Sequence, residues 1–149
     1  MKTRDRTAAG IAATELIVEV FRLNGRLLAA GDRLVAGLGL TSARWQVLGA
    51  VALSAVAAPV AHLARSMGLN RQGVQRIANE LAVEGLIAYQ DNPNHSRAKL
   101  VILTRKGKAA YEAATALQLP WVNTLSEGLK AQELAAARAI LETLRTRLE

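Results

Sequence analysis

The sequence contains no cysteine, which excludes a disulfide framework, a thiolate metal site, a cysteine nucleophile and a thiol redox switch. Aromatic residues amount to 3% and prolines to three. The apolar fraction is carried mostly by alanine and leucine, a mixture that favours helix over strand. His62 and His95 stand far apart, with no carboxylate cluster beside either, so no metal site is expected. Gly10, Gly25, Gly31 and Gly37 compose no phosphate loop, and no Ser, His and Asp group stands in a nucleophile context. These absences point away from an enzyme, and no cofactor is expected.

Long charge-free apolar runs are also scarce. Residues 1–6 are basic, but Glu15 and Glu19 interrupt the next stretch before the apolar core of an export signal can form. Residues 45–64 are free of formal charge over 20 positions, about the length of a bilayer span. Their apolar positions are largely Ala and Gly, however, and the stretch holds Gln46, Ser54, Pro59 and His62 between Arg44 and Arg65. Buried helices around a short loop account for it better than a span. A cytoplasmic location without a membrane partner is expected.

Acidic side chains are outnumbered, 12 against 19 basic, for a formal charge of +7, which points to an anionic partner. The excess is local. Residues 62–108 carry 8 basic and 3 acidic side chains, whereas residues 109–149 carry 4 and 5. A basic run is often only a solvated face, so its meaning depends on what it coincides with.

With 149 residues and 51% hydrophobic content, the chain is read as one folded domain. Residues 11–38 place Ile17, Val20, Phe21, Leu27, Leu28, Leu34, Val35 and Leu38 at helical spacing, which predicts a long amphipathic first helix ended by Gly37 and Gly39. Thr41 or Ser42 offers an N-cap to a second helix bearing Trp45, Leu48, Val51 and Ala52. Pro59 suits a turn or the first position of a short third helix that reaches Met67, with Gly68 after it. Asn70 caps a fourth helix ended by Gly85. One stripe of this helix is Val74, Ile77, Ala78 and Leu81, and the opposite stripe is Gln72, Gln75, Arg76 and Asn79.

The texture then changes. Residues 86–89 and 99–103, around Asn92-Pro93-Asn94-His95-Ser96, read as a two-stranded hairpin, the only strand signal in the chain. Thr104 caps a fifth helix that Pro120 is expected to kink or interrupt. After Gly128, the last helix repeats Leu134, Ala137, Leu141, Leu144 and Leu148 as a heptad seam of about two repeats, too short to stand alone and suited to docking.

Helix, glycine turn, second helix and hairpin is the order of a winged helix-turn-helix. Ala64, Gly68 and Val74 fall where that motif needs a close helix contact, a left-handed turn and a core plug. The second helix of such a motif lies in the major groove and reads bases from its N-terminal part. Gln72, Gln75 and Arg76 occupy that part, and Arg71 at the helix start is placed to hold a phosphate. Gln pairs in bidentate fashion with adenine and Arg with guanine. The same stripe on an ordinary exposed helix would simply face water.

The combination resembles the MarR family of transcription regulators. The resemblance is carried by Leu40-Thr41-Ser42-Ala43-Arg44-Trp45-Gln46-Val47-Leu48, by His62-Leu63-Ala64-Arg65-Ser66-Met67-Gly68-Leu69-Asn70-Arg71-Gln72-Gly73-Val74-Gln75-Arg76, by Glu84-Gly85-Leu86, and by the stretch from Asn92-Pro93 to Leu103-Thr104-Arg105-Lys106-Gly107. It extends over nearly the whole chain. It implies a mainly α fold with a small β-hairpin wing, a winged helix-turn-helix lobe over about residues 41–104, and dimerisation helices over about 11–38 and 105–149.

The implied function is a homodimeric, sequence-specific DNA-binding regulator and repressor on a palindromic double-stranded operator, released by a small aromatic or phenolic ligand. The DNA contacts it implies are Asn70, Arg71, Gln72, Gln75, Arg76, Asn79, Arg97 and Lys99. Phe21 and Trp45, with Arg22 or Arg44 as anion partners, are candidates for the ligand site, although apolar-face aromatics more often fill a core. One departure stands out: the family wing usually carries an acidic residue followed by two arginines, where this chain reads His95-Ser96-Arg97, so the bracing carboxylate is expected to be missing. A winged-helix module that binds another protein, without specific DNA, is the alternative.

Overall fold

In the computed structural model, which describes residues 5–149, α1 (Ala8–Val35) opens the chain, with Thr7 Oγ1 accepting from the Gly10 N–H at 3.0 Å. The helix begins a few residues before the apolar periodicity does, because the cap and not the first large side chain sets its start. It passes into a 3-10 turn, Ala36–Leu38, ended by Gly39 at φ +70°. Thr41 is the cap of α2 (Ser42–Leu53), accepting from the Arg44 N–H at 3.2 Å, while Ser42 is buried inside the helix start. Ser42 Oγ donates to the Leu28 carbonyl at 2.6 Å, and its N–H donates to Asp32 Oδ1 at 2.7 Å. These two bonds join α1 to α2.

The structure corrects the expected hairpin at Ala58–Pro59. The pair forms a short strand, β1, antiparallel to β3 (Leu100–Leu103), which in turn pairs with β2 (Ile87–Gln90). The sheet therefore has three strands in the order β1-β3-β2, not two. Two residues are too few to show a period of two, and a proline reads as a breaker unless it lies on an edge strand, as Pro59 does. Pro59 then serves as the N-cap of α3 (Val60–Met67), and residues 45–64 resolve into helix, loop, strand and helix. No single described helix is long and apolar enough to cross a membrane.

The chain divides into two compact units. The first runs to Thr115, and the second is Ala116–Glu149. In the first unit, Leu48 of α2 and Leu81 of α4 (Arg71–Val83) are fully buried with Val35, Val47, Val74, Ile87 and Val101. Truncating a buried leucine of this kind to alanine costs about 2–5 kcal/mol. Leu63, Ala64, Leu86 and Ala114 belong to the same core.

The boundary between units falls within α5 (Arg105–Leu125), which continues through Pro120 and is not interrupted there. A proline removes one N–H from the ladder, and a helix of this length keeps the others. The second unit continues through Gly128 (φ +79°) into α6 (Ala131–Thr146), whose Leu134, Ile140 and Leu141 are exposed; Leu148 of the expected seam lies beyond the helix.

Candidate nucleic-acid interface

The candidate surface is built by the burial of the opposite face of α4. Gly68 takes φ +64°, and Leu69 N–H bonds back to the Ala64 carbonyl at 2.9 Å, closing α3 in a tight turn. Asn70 comes next as the cap of α4, its Oδ1 accepting from the N–H groups of Gln72 and Gly73 at 2.8 and 3.3 Å. Ala64 and Val74 are buried where α3 and α4 cross, as the motif requires. With Val74, Ile77, Ala78 and Leu81 turned inward, Gln72, Gln75, Arg76 and Asn79 must face out.

Those four residues and Arg71 line one groove of about 830 Å³, together with Arg44, Glu80, Val83 and Glu84. The exposed face of α4 and its C-terminal end thus present acids as well as bases. Arg76 pairs with Glu80 at 3.0 Å, and Arg44, from α2, pairs with Glu84 at 2.7 Å and Glu80 at 3.3 Å. The hydrogen bond to Glu84 raises the Arg44 pKa, with burial opposing it and Glu80 adding to it. The i, i+4 spacing of Arg76 and Glu80 was open to sequence reading; the link from Arg44 across to Glu84 was not, since only the tertiary fold brings α2 beside α4.

A second cavity, of about 250 Å³, lies where α4 meets the wing. Arg71, Gln75, Asn79, Tyr89, Arg97 and Lys99 line it with Pro59, Val60 and Ala61. Tyr89 is a residue that sequence reading passed over, as one member of an apolar strand. Its hydroxyl donates to Asn79 Oδ1 at 2.7 Å and accepts from Gln75 Nε2 at 3.1 Å.

Residues 91–99 form the wing between β2 and β3. Lys99 Nζ bonds Asp91 Oδ1, a contact that lowers the Asp91 pKa chiefly through the hydrogen bond itself. Lys99 and Arg97 are both exposed, and Lys99 is tied to Asp91. The brace expected to be missing is supplied by the imidazole: His95 Nδ1 accepts from the N–H groups of Arg97 and Ala98 at 3.3 and 3.1 Å.

The residues considered for a ligand are dispersed. Phe21 is 71% exposed on α1, and Arg22 pairs with Glu19 at 3.6 Å. Trp45 packs partly buried against the core, and Arg44 is engaged with the two glutamates. No group of three or more metal-ligating side chains is found among the described residues.

Comparison with known proteins agrees with this geometry. The MarR family profile matches residues 38–98, from the end of the 3-10 turn into the wing. An uncharacterized protein of Mycobacterium tuberculosis is 38% identical over 129 residues, 87% of this chain and 89% of that protein. The transcriptional activatory protein BadR of Rhodopseudomonas palustris is 29% identical over 102 residues, 67% of this chain and 58% of that protein. Among solved structures, CouR of Rhodococcus jostii RHA1 bound to p-coumaroyl-CoA superposes with a TM-score of 0.78 at 22% identity, over 89% of this chain and 92% of that one.

Proposed function

Because the chain belongs to the MarR family of transcription regulators, a family of DNA-binding regulators and not of enzymes, we propose that it is a homodimeric repressor of a palindromic operator, released by a small aromatic ligand. The observation that carries the reading is the groove in which Arg71, Gln72, Gln75, Arg76 and Asn79 line one face of an Asn70-capped helix, next to the wing. Gln72, Gln75 and Arg76 read base edges in the major groove, with Asn79 further along the same stripe, while Arg71, Arg97 and Lys99 hold phosphates. Two such helices, about 34 Å apart across a two-fold axis, match successive turns of DNA.

Exposed apolar side chains support the dimer. Ile17, Phe21, Leu23 and Leu27 of α1 and Leu134, Ile140 and Leu141 of α6 are all exposed in the single chain, more than a lone protein usually leaves to water. The aromatic ligand is supported by CouR, which carries p-coumaroyl-CoA on the same fold. Of the candidates Phe21, Arg22, Arg44 and Trp45, Arg44 is the one that lines the groove. An anionic ligand that takes Arg44 from Glu84 and Glu80 changes the charge of the recognition groove directly, which is a physical route to release.

Titration onto duplex from upstream of the chain's own gene, against scrambled duplex and at several salt concentrations, tests the reading. A preference of about a thousandfold with a steep salt dependence is expected. Arg76→Ala is expected to cost about 1–3 kcal/mol at the preferred site and to relax one base preference. Sedimentation gives the oligomeric state, and phenolic acids and their thioesters are screened for release of the duplex. Absence of DNA binding even at low salt overturns the reading in favour of a protein partner.

A further inference from the structure

Tyr89 enters the recognition surface from outside the recognition helix. It lies on β2 opposite Val101 of β3, half-buried, with its side chain reaching α4. There its hydroxyl, Gln75 Nε2 and Asn79 Oδ1 form a closed triangle, because Gln75 also donates to Asn79 Oδ1 at 2.9 Å, beside the 2.7 and 3.1 Å bonds of Tyr89. The three separations are nearly equal, so both oxygens stand on the Nε2 side of the Gln75 amide, while its Oε1 has no hydrogen-bond partner among the described residues. Asn79 Oδ1 has both lone pairs filled, leaving its Nδ2 hydrogens as the outward group. Tyr89 has given its one proton to Asn79 and has none left for a phosphate. Burial raises its pKa, so the phenol stays protonated at neutral pH and the triangle persists.

We propose that Tyr89 is a specificity-determining positioning residue: from the wing strand it fixes the amide planes of Gln75 and Asn79 before DNA arrives. The inference rests on the DNA-reading function proposed above. A primary amide that nothing holds turns over about its last torsion and exchanges donor for acceptor. A base-reading side chain in that condition discriminates poorly. Held by Tyr89, Gln75 offers its Oε1 as acceptor, which suits the amino group of adenine N6 or cytosine N4, and Asn79 offers donors alone, the complement of thymine O4 or of guanine O6 and N7. Holding these side chains in advance also reduces the entropy lost on binding.

Full-length wild type, Tyr89→Phe, Gln75→Ala and the double variant are each selected against randomised duplexes. Their affinities for the selected site and for its single-base substitutions are then measured at three salt concentrations. Phenylalanine keeps the ring, so a melting temperature near that of wild type is expected. Tyr89→Phe is expected to reduce discrimination about fivefold or more at the base pair where Gln75→Ala also acts. It should leave the salt dependence unchanged and add nothing on top of Gln75→Ala. In the free protein, the Gln75 side-chain amide should exchange its protons faster in Tyr89→Phe, a reading independent of DNA.

A uniform loss on every duplex with a shallower salt dependence makes Tyr89 a phosphate contact and overturns the inference. Identical discrimination by wild type and Tyr89→Phe, or unchanged amide exchange, overturns it while DNA reading stands. Failure of wild type itself to select any sequence defeats the DNA reading, and the inference with it.

Discussion

Gly107→Ala is expected to destabilise the lobe that carries the candidate interface, although alanine is the better helix former and Gly107 lies inside α5. A methyl at this position would overlap the Leu86 carbonyl oxygen and sit 2.8 Å from its carbonyl carbon and 3.2 Å from its Cα, all backbone with no side chain to move aside. Relief requires α5 to withdraw from the β2 entry, and that junction is held by the Thr104 N–H to Leu86 carbonyl bond at 3.1 Å, the Thr104 hydroxyl to Gly85 carbonyl bond at 2.6 Å and the Gly107 N–H to Thr104 Oγ1 cap at 3.0 Å. Losing two of these costs about 2 kcal/mol, and overpacking adds about 1–3 kcal/mol. The helix-propensity gain returns only about 1 kcal/mol. The net is about 3 kcal/mol, roughly 10 °C in melting temperature for a chain of this size.

Urea unfolding followed by circular dichroism, at one fixed protein concentration so that association does not shift the midpoint, measures the change. Gly73→Ala is the control of opposite sign. A methyl there meets nothing within 4 Å on α4, so the same substitution should be neutral or stabilising by up to about 1 kcal/mol. Equal midpoints for Gly107→Ala and wild type would show that the junction yields freely, and the reasoning from backbone overlap would be refuted.

At the α1–α2 joint, a methyl on Gly31 would overlap Ser42 Oγ and lie 3.4 Å from Ser42 Cβ. Gly31→Ala is therefore expected to cost about 1–3 kcal/mol, and adding Ser42→Ala should recover part of that loss, a coupling that a double-mutant cycle of unfolding free energies reads directly. In the wing, the Asp91 pKa lies below its unfolded value because Lys99 bonds the carboxylate; the stabilisation is thus present above the ordinary carboxylate range and lost as pH falls through it. Carbon-detected NMR titration of Lys99→Met should show Asp91 titrating at higher pH than in wild type, and an unchanged titration would remove Lys99 as the cause. His95→Ala should speed hydrogen exchange at the Arg97 and Ala98 amides, which the ring now accepts from, while His95→Asp should retain protection; equal exchange in all three proteins would show that the ring does not brace the wing.

The parts of this molecule that local physics determines are legible in the amino-acid sequence alone. The Gly68 turn, the Asn70 cap and the two stripes of α4 arise from spacing and side-chain chemistry within a span of fewer than 20 residues, and they in turn dictate the groove lining. The junction at Thr104 was half legible: its cap could be read, but the backbone approach of Leu86 to Gly107 could not. The strand Ala58–Pro59 was hidden because its pairing partner lies some 40 residues away and its residues carry no strand signal of their own. Arg44 and Tyr89 were hidden for a related reason. Each sits in an element with an evident structural role, and only the crossing of α2 and the hairpin over α4 brings its polar end to the recognition face.

Two carboxylates on the surface proposed to bind DNA call for a physical account, and the pairing pattern supplies one. Glu80 is shared: Arg76 holds one oxygen and Arg44 the other. The Arg76 pair is exposed, with the guanidinium side chain 69% accessible, and such i, i+4 pairs are worth only about 0.3–0.5 kcal/mol. A bidentate contact with guanine gives about 1–3 kcal/mol of discrimination, so Arg76 can leave Glu80 for a base. Arg44 cannot leave so easily, because its side chain is only 21% accessible and it binds Glu84 as well. When Arg76 swings out, Glu80 therefore keeps a counter-charge and does not face the phosphates bare. Under the proposed DNA reading, Arg44 in this way lets Arg76 move without turning the groove repulsive, and an anionic ligand that captured Arg44 would expose both carboxylates at once.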